Sequence, residues 1–281
     1  MKPSRVSPQH ATLFAIVAMQ VLLALALVFA RPPWEATDEL EHVRNVEKLA
    51  AGDLYEMERG AGFEAHQPPL YYALLAGWQR AFGKDPIRPV AVLNEPCARR
   101  ILQGEMPRCS GLRHDTPHDA SDMRLLVLLR LPGIALGAIT LLLTAAAVRR
   151  LSQDPWTPVV AAGVVAAVPS FTFIATSVTN DVLVNALAAL ATYLAALAVS
   201  KRVVEQAPRV PIALALGVVA ASLTLTKLTG VLLVPGLVLA VVLSARGWRE
   251  PLRLVAVFAV AALICSGWWL VRNVEQHGDP L

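Results

Sequence analysis

Ala11 to Ala30 is a run of twenty residues without one charged side chain, and six further runs, nearly free of charge, follow it. They cover about 130–148, 156–176, 181–200, 210–226, 228–245 and 252–271. A helix needs roughly 17–25 apolar residues to cross the hydrocarbon of a bilayer. Inside that layer no water can satisfy backbone polar groups, so helices are the natural way across. The chain is therefore expected to be an all-α polytopic membrane protein with about seven transmembrane helices. Composition agrees, with 16% charged residues and a mean hydropathy of +0.53, where a soluble domain carries about a quarter charged. The basic residues sit between the spans, and no Lys/Arg cluster with interleaved aromatics appears. Nucleic-acid binding is excluded on that ground.

The first run follows Lys2 and Arg5 and competes with a secretory signal peptide. It is long enough to span, and RPPWE after it lacks a small-x-small cleavage site, so an uncleaved first helix is expected. Pro132 and Pro169 fall near helix ends, where a missing N–H is tolerated. With the N-terminus in the cytoplasm, the cytoplasmic segments hold Lys2, Arg5, Arg149, Arg150, Lys201, Arg202, Arg209, Arg246, Arg249 and Arg253. The short outer segments hold only Lys227 and Arg272, and this asymmetry fixes the expected orientation. The organisation read from this is one membrane domain, 1–281, with 31–123 inserted between spans one and two as an extracytoplasmic loop.

That loop holds fifteen of the twenty-one acidic residues, and a connection so long calls for a function. It contains Cys97 and Cys109, which an oxidising compartment allows to pair, worth about 3 kcal/mol. Two free thiols are the alternative. Cys265 lies inside a span and is read as packing.

The loop opens with PPWEATDELEH. Acidic side chains beside lipid are costly unless they face water, a cation or a substrate. Thr37 suits an N-cap, Asp38 and Glu39 a first turn, and Gly52 a stop. Helical spacing then puts Asp38, Glu41, His42 and Asn45 on one face. The reading is a short amphipathic helix along the membrane surface with a carboxylate-rich edge. Ordinary helix-start acids are the alternative, and Glu35 and Glu41 are read as surface charge. Next comes EAHQPPLYYALLAGWQRAFG, read as an interfacial or re-entrant helix with Tyr71, Tyr72 and Trp78 at headgroup depth. An aromatic belt explains the tyrosines but not His66 and Gln67. Further outer-face polar residues are Asn180 and Asp181 in SVTND, Lys227 in TKLTG, and Arg272 and Asn273 after the last span. Singly each reads as solvated charge. Jointly, Lys227, Arg272 and Arg130 around the carboxylates describe a cavity able to hold an anionic headgroup.

The order of these motifs resembles the GT-C membrane glycosyltransferases, the superfamily of protein O-mannosyltransferases and the lipid A aminoarabinose transferase. It is a DE-x-x-H after span one, HQPPLYY, an Arg opening span two, an ND after span three, a K-x-T-G hairpin and a W-x-x-RN. The pattern is most similar to the poorly characterised bacterial branches. The resemblance implies a transferase that takes a sugar from a polyprenyl-phosphate donor at the outer face of the bacterial inner membrane. The acceptor is a lipid, glycan or protein, and the displacement inverts the anomeric carbon. Asp38, with Glu39 beside it, would be the catalytic carboxylate. Lys227, Arg272 and Arg130 would take the leaving phosphate, and His66, Gln67, Asn180 and Asp181 would contact substrate. No cofactor is firmly implied. Some members hold a divalent metal ion, for which Asp38, His42, His66 and Asp181 are the available ligands. The superfamily usually carries more spans, whereas this sequence stops at GDPL, so a fragment is expected. A transporter or flippase for a lipid-linked or anionic solute competes, though no inverted repeat or matched pair of broken spans is visible. A non-catalytic envelope-assembly protein leaves the DE and ND pairs unexplained.

Overall fold

The computed structural model describes residues 7–52, 67–82, 94–104, 120–200 and 209–278. Its order is α1 (Pro8–Ala30), α2 (Glu39–Ala51), α3 (Leu70–Ala81), α4 (Glu95–Leu102), α5 (Ala120–Leu151), α6 (Thr157–Ala166), α7 (Pro169–Ala175), α8 (Asp181–Val199) and α9 (Arg209–Thr226). A 3-10 turn (Leu228–Leu233), α10 (Val234–Ser244) and α11 (Glu250–His277) complete it. Five of these helices, α1, α5, α8, α9 and α11, are long and apolar enough to cross a membrane. The run expected over 156–176 is a bent pair: α6 and α7 meet at 71°, because Pro169 supplies no N–H and its ring crowds the preceding turn. The run expected over 228–245 is a shorter apolar stretch, Leu228–Ser244, that starts as a 3-10 turn. The chain is thus an all-α, multi-spanning membrane protein.

The bundle pairs α5 with α8 and α9 with α11, while α1 lies against α5 and α6. Close approach is bought with small residues. A Cβ on Gly217 would stand 2.3 Å from the Phe258 carbonyl oxygen of α11, and one on Gly133 would stand 2.6 Å from that of Ala175 at the end of α7. Gln20 of α1 donates to Thr172 Oγ1 (2.8 Å), a contact that ties α1 to the bent pair where hydrocarbon offers no other partner.

At one end of this bundle an apolar core gathers Trp34, Val43, Val46, Tyr71, Tyr72, Leu126, Leu129, Val178 and Trp269. It corrects three expectations. α2 is not a surface helix: it packs on α3, and Glu39, His42, Asn45 and Glu47 are buried along with its valines. Tyr71 and Tyr72 are buried rather than held in an aromatic belt, because α2 covers the face that a belt would show to lipid. The N-cap position of α2 is Asp38, not Thr37, and the Asp38 backbone is left-handed (φ 59°) with no side-chain cap bond. Gly52 ends the helix as expected, also left-handed (φ 91°). Arg80 of α3 then supplies what α2 lacks, donating to the last carbonyls at Leu49 (3.2 Å) and Ala50 (2.7 Å). Cys97 is buried on α4, and Cys109 and His66 lie outside the described residues.

Candidate functional site

The end of α1 makes the first contact of the site. Arg31, its C-cap, donates to Ser177 Oγ (2.6 Å) and to the Phe173 carbonyl (3.3 Å), and its guanidinium lies 4.0 Å over the Phe173 ring. The chain then turns through Trp34 and Asp38, the described non-glycine residues with positive φ (61° and 59°). A left-handed residue costs about 1–2 kcal/mol, and such strain persists where surrounding contacts enforce it.

What enforces it here is Glu39. Its side chain is wholly buried and faces Arg130 of α5, also wholly buried: Nε donates to Oε1 (2.8 Å) and Nη2 to Oε2 (2.6 Å). Arg130 spends its remaining donors on the carbonyls of Val28 (3.3 Å), Arg31 (3.1 Å) and Pro32 (3.2 Å), and the Val178 N–H completes the shell of Glu39 (3.1 Å). A buried ion pair persists only when its other lone pairs and protons are also satisfied, and this one meets that condition. Two expectations are corrected by it. Arg130 has no N–H left for a phosphate, and Glu39 is a strut under the Asp38 turn rather than a group that meets substrate. Asp38 itself, one residue earlier, is exposed.

The short link between α7 and α8, Thr176 to Asn180, collects the other motifs. Its Thr179 N–H donates to Tyr71 Oη (3.0 Å), and Asn180 Nδ2 donates to Gln67 Oε1 (3.0 Å) and the Thr226 carbonyl (3.1 Å). Gln67 and Asn180, read as substrate contacts, therefore hold each other. Asn180 Oδ1 is buried and without a hydrogen-bond partner among the described residues. Asp181 opens α8 and meets Lys227 of the α9 exit at 2.6 Å, both side chains half-buried. Beside them His42 Nδ1 shares a hydrogen bond with Tyr72 Oη (2.8 Å). Burial pushes the His42 imidazole down to about 4; Asp181 opposes the shift and Lys227 adds to it, so the ring is neutral at physiological pH. Burial likewise holds the Tyr71 phenol well above its ordinary range.

Arg272 of α11 stacks over Trp269 (4.8 Å), a member of the same core. Asp181 and Lys227 thus meet directly, while Asp38 and Arg272 reach the cluster through their neighbours Glu39 and Trp269. The metal reading gains no support from geometry. Among the described residues no three His, Cys, Asp or Glu side chains gather into a ligand set, and Asp38, His42 and Asp181 do not form one. Sequence reasoning missed the buried tyrosines and the backbone N–H groups of Val178 and Thr179. A backbone donor leaves no trace in residue type, whereas LYY after HQPP was a usable signal for the tyrosines.

An apolar cavity of about 410 Å³ lies alongside, between Tyr71, Leu75 and Trp78 of α3, Pro132 and Leu136 of α5, and Leu183 of α8.

Residues 124–270 match the family model described as dolichyl-phosphate-mannose-protein mannosyltransferase. Among solved structures the chain is similar to the S. cerevisiae protein O-mannosyltransferase Pmt1-Pmt2 complex bound to the sugar donor. The TM-score is 0.60 at 16% identity, over 98% of this chain and 34% of that one. At that identity the likeness is one of fold, and the chain spans about a third of the length of its structural relative. A comparison with curated proteins gave no match. The family model covers more than half of the chain, from the first turns of α5 into the last turns of α11, and the chain belongs to the dolichyl-phosphate-mannose-protein mannosyltransferase family.

Proposed function

We propose that this protein transfers a glycosyl group from a polyprenyl-phosphate donor to an acceptor hydroxyl at the extracytoplasmic face, with Asp38 as general base. The observation that carries the reading is the pairing of a strained, exposed carboxylate with a wholly buried Glu39–Arg130 strut beneath it. Strain anchored in this way fixes a reacting group where side-chain freedom alone would not. Family membership supplies the reaction class.

In this reading the acceptor oxygen attacks the anomeric carbon as the Asp38 carboxylate takes its proton. The bond from that carbon to the phosphate oxygen breaks on the opposite side, inverting the centre. The leaving phosphate takes the electron pair, and cationic donors must meet the charge. Lys227 would meet it, a role supported by its present partner Asp181 being only half-buried and able to give way to a phosphate at modest cost. Arg272 would stand second to it, and the unpaired Asn180 Oδ1 would accept from a sugar hydroxyl. The apolar cavity beside Tyr71 suits the first isoprene units.

Proteoliposomes carrying a radiolabelled polyprenyl-phosphate sugar test the proposal. Transfer to a water-soluble or lipid acceptor is expected, with Lys227→Gln raising the donor KM about tenfold or more. Donor turnover absent across acceptor classes, or a KM unchanged in Lys227→Gln, would count against it. Uptake of intact donor without cleavage would favour the flippase reading.

A further inference from the structure

The opposite end of the bundle holds a polar cavity that glycosyl transfer does not use. It has a volume of about 530 Å³ and is lined by Arg149, Arg150, Asp154, Pro158 and Ser200 among others. Arg149 lies nineteen residues beyond Arg130 on α5, about 28 Å along the helix axis, so the two clusters stand at opposite membrane interfaces. The residues forming this end belong to the basic set on which the orientation rests, and Lys201 and Arg202 follow Ser200 in sequence.

The two arginines differ from Arg130 in how they use their donors. Arg149 donates to His10 Nε2 (3.1 Å) and Arg150 to Tyr193 Oη (3.1 Å). Arg150 also lies over the Tyr193 ring at 5.6 Å. Among the described residues each guanidinium makes that one hydrogen bond, which orients the fork and leaves most of its N–H groups unspent. The one carboxylate among the described lining residues, Asp154, is committed through Oδ2 to the Thr157 N–H (2.8 Å) and hydroxyl (2.6 Å) at the start of α6. Among the described residues the lining therefore carries net positive charge, with guanidinium donors oriented and unspent. Leu151 (62% exposed) and Trp156 (44%) stand beside it, an apolar edge of the kind that meets lipid at headgroup depth.

We propose that this cavity binds the phosphate of an anionic phospholipid headgroup, with Arg149 and Arg150 as its charge-assisted donors and the Ser200 hydroxyl beside them. Basic pockets between helix ends at the cytoplasmic interface recognise such headgroups by charge and by forked hydrogen bonding. The site is independent of the chemistry at the outer face.

The test uses the full chain in nanodiscs of phosphatidylcholine alone or mixed with phosphatidylglycerol. Lipid retention is read by native mass spectrometry and the unfolding midpoint by heating. The expected result is preferential retention of phosphatidylglycerol, weakened about fivefold in Arg149→Gln or Arg150→Gln and about thirtyfold in the double variant. Both side chains are exposed, so glutamine there leaves the fold intact, and sugar transfer at the outer face should be unchanged. Inorganic phosphate added to phosphatidylcholine nanodiscs separates the sources. If it raises the midpoint of wild type but not of the double variant, the phosphate chemistry holds and a soluble anion is its source. Equal retention of the two lipids with no phosphate effect, or retention unchanged in the double variant, overturns the site.

Discussion

Glu39 and Arg130 set the terms at the scale of single residues. The sequence presents two adjacent acids at a helix start, and nothing in their spacing says which one turns inward. The pairing of Glu39 with Arg130 decides it, because it holds the left-handed turn that sets Glu39 under the helix and leaves Asp38 in the open. Glu39→Gln leaves the Arg130 charge buried without its counterion and should destabilise the protein by about 3–5 kcal/mol, read as a lower unfolding midpoint in detergent. Glu39→Gln with Arg130→Met should recover part of the loss, since the uncompensated charge is then gone. His42 gives a pH signature. Its folded pKa, about 4, lies below the ordinary 6.5, so the unfolded chain binds more protons between those values. Stability from this group is complete above about pH 6.5 and declines as pH falls toward 4, by about 3 kcal/mol at most. His42→Gln should remove that component, leaving a flatter stability profile over the same range.

Elements were legible in the sequence to the degree that lipid dictates them. Every apolar run corresponds to a helix or to a bent or shortened helical stretch, because backbone groups in hydrocarbon leave the chain little else to do. The break at Pro169 was read as a helix end, and it is one, but inside a single run. The segments between spans one and two were read less well. An aromatic, apolar helix such as α3 has the same composition whether lipid or another helix covers it, and its partners α2, α5 and α9 are what make it buried. The link from Thr176 to Asn180 was visible only through Asn180 and Asp181, since its other contributions are backbone donors. Packing of α9 on α11 rests on Gly217, where a side chain would run into the Phe258 carbonyl. Gly217→Val should lower the yield of folded protein and its unfolding midpoint more than Gly236→Val, a position with nothing within 4 Å. Size-exclusion profiles of the two variants compare them directly.

At the scale of the whole molecule two polar layers stand at opposite ends of the bundle. One layer runs through Asp38, Glu39, Arg130, Asp181 and Lys227, and the other through Arg149, Arg150 and Asp154. Single cysteines at Thr37 and at Gln153, in a chain with its native cysteines replaced, should be labelled by an impermeant maleimide from opposite sides of sealed vesicles. The central claim is that Asp38 is the base, and Asp38→Asn tests it most directly. Asparagine tolerates the left-handed backbone and keeps the volume, so the change removes the proton acceptor and little else. With equal amounts of folded protein in proteoliposomes, Asp38→Asn should lower kcat about 100-fold or more at an unchanged donor KM. Transfer at the wild-type rate by a folded Asp38→Asn protein would contradict the account.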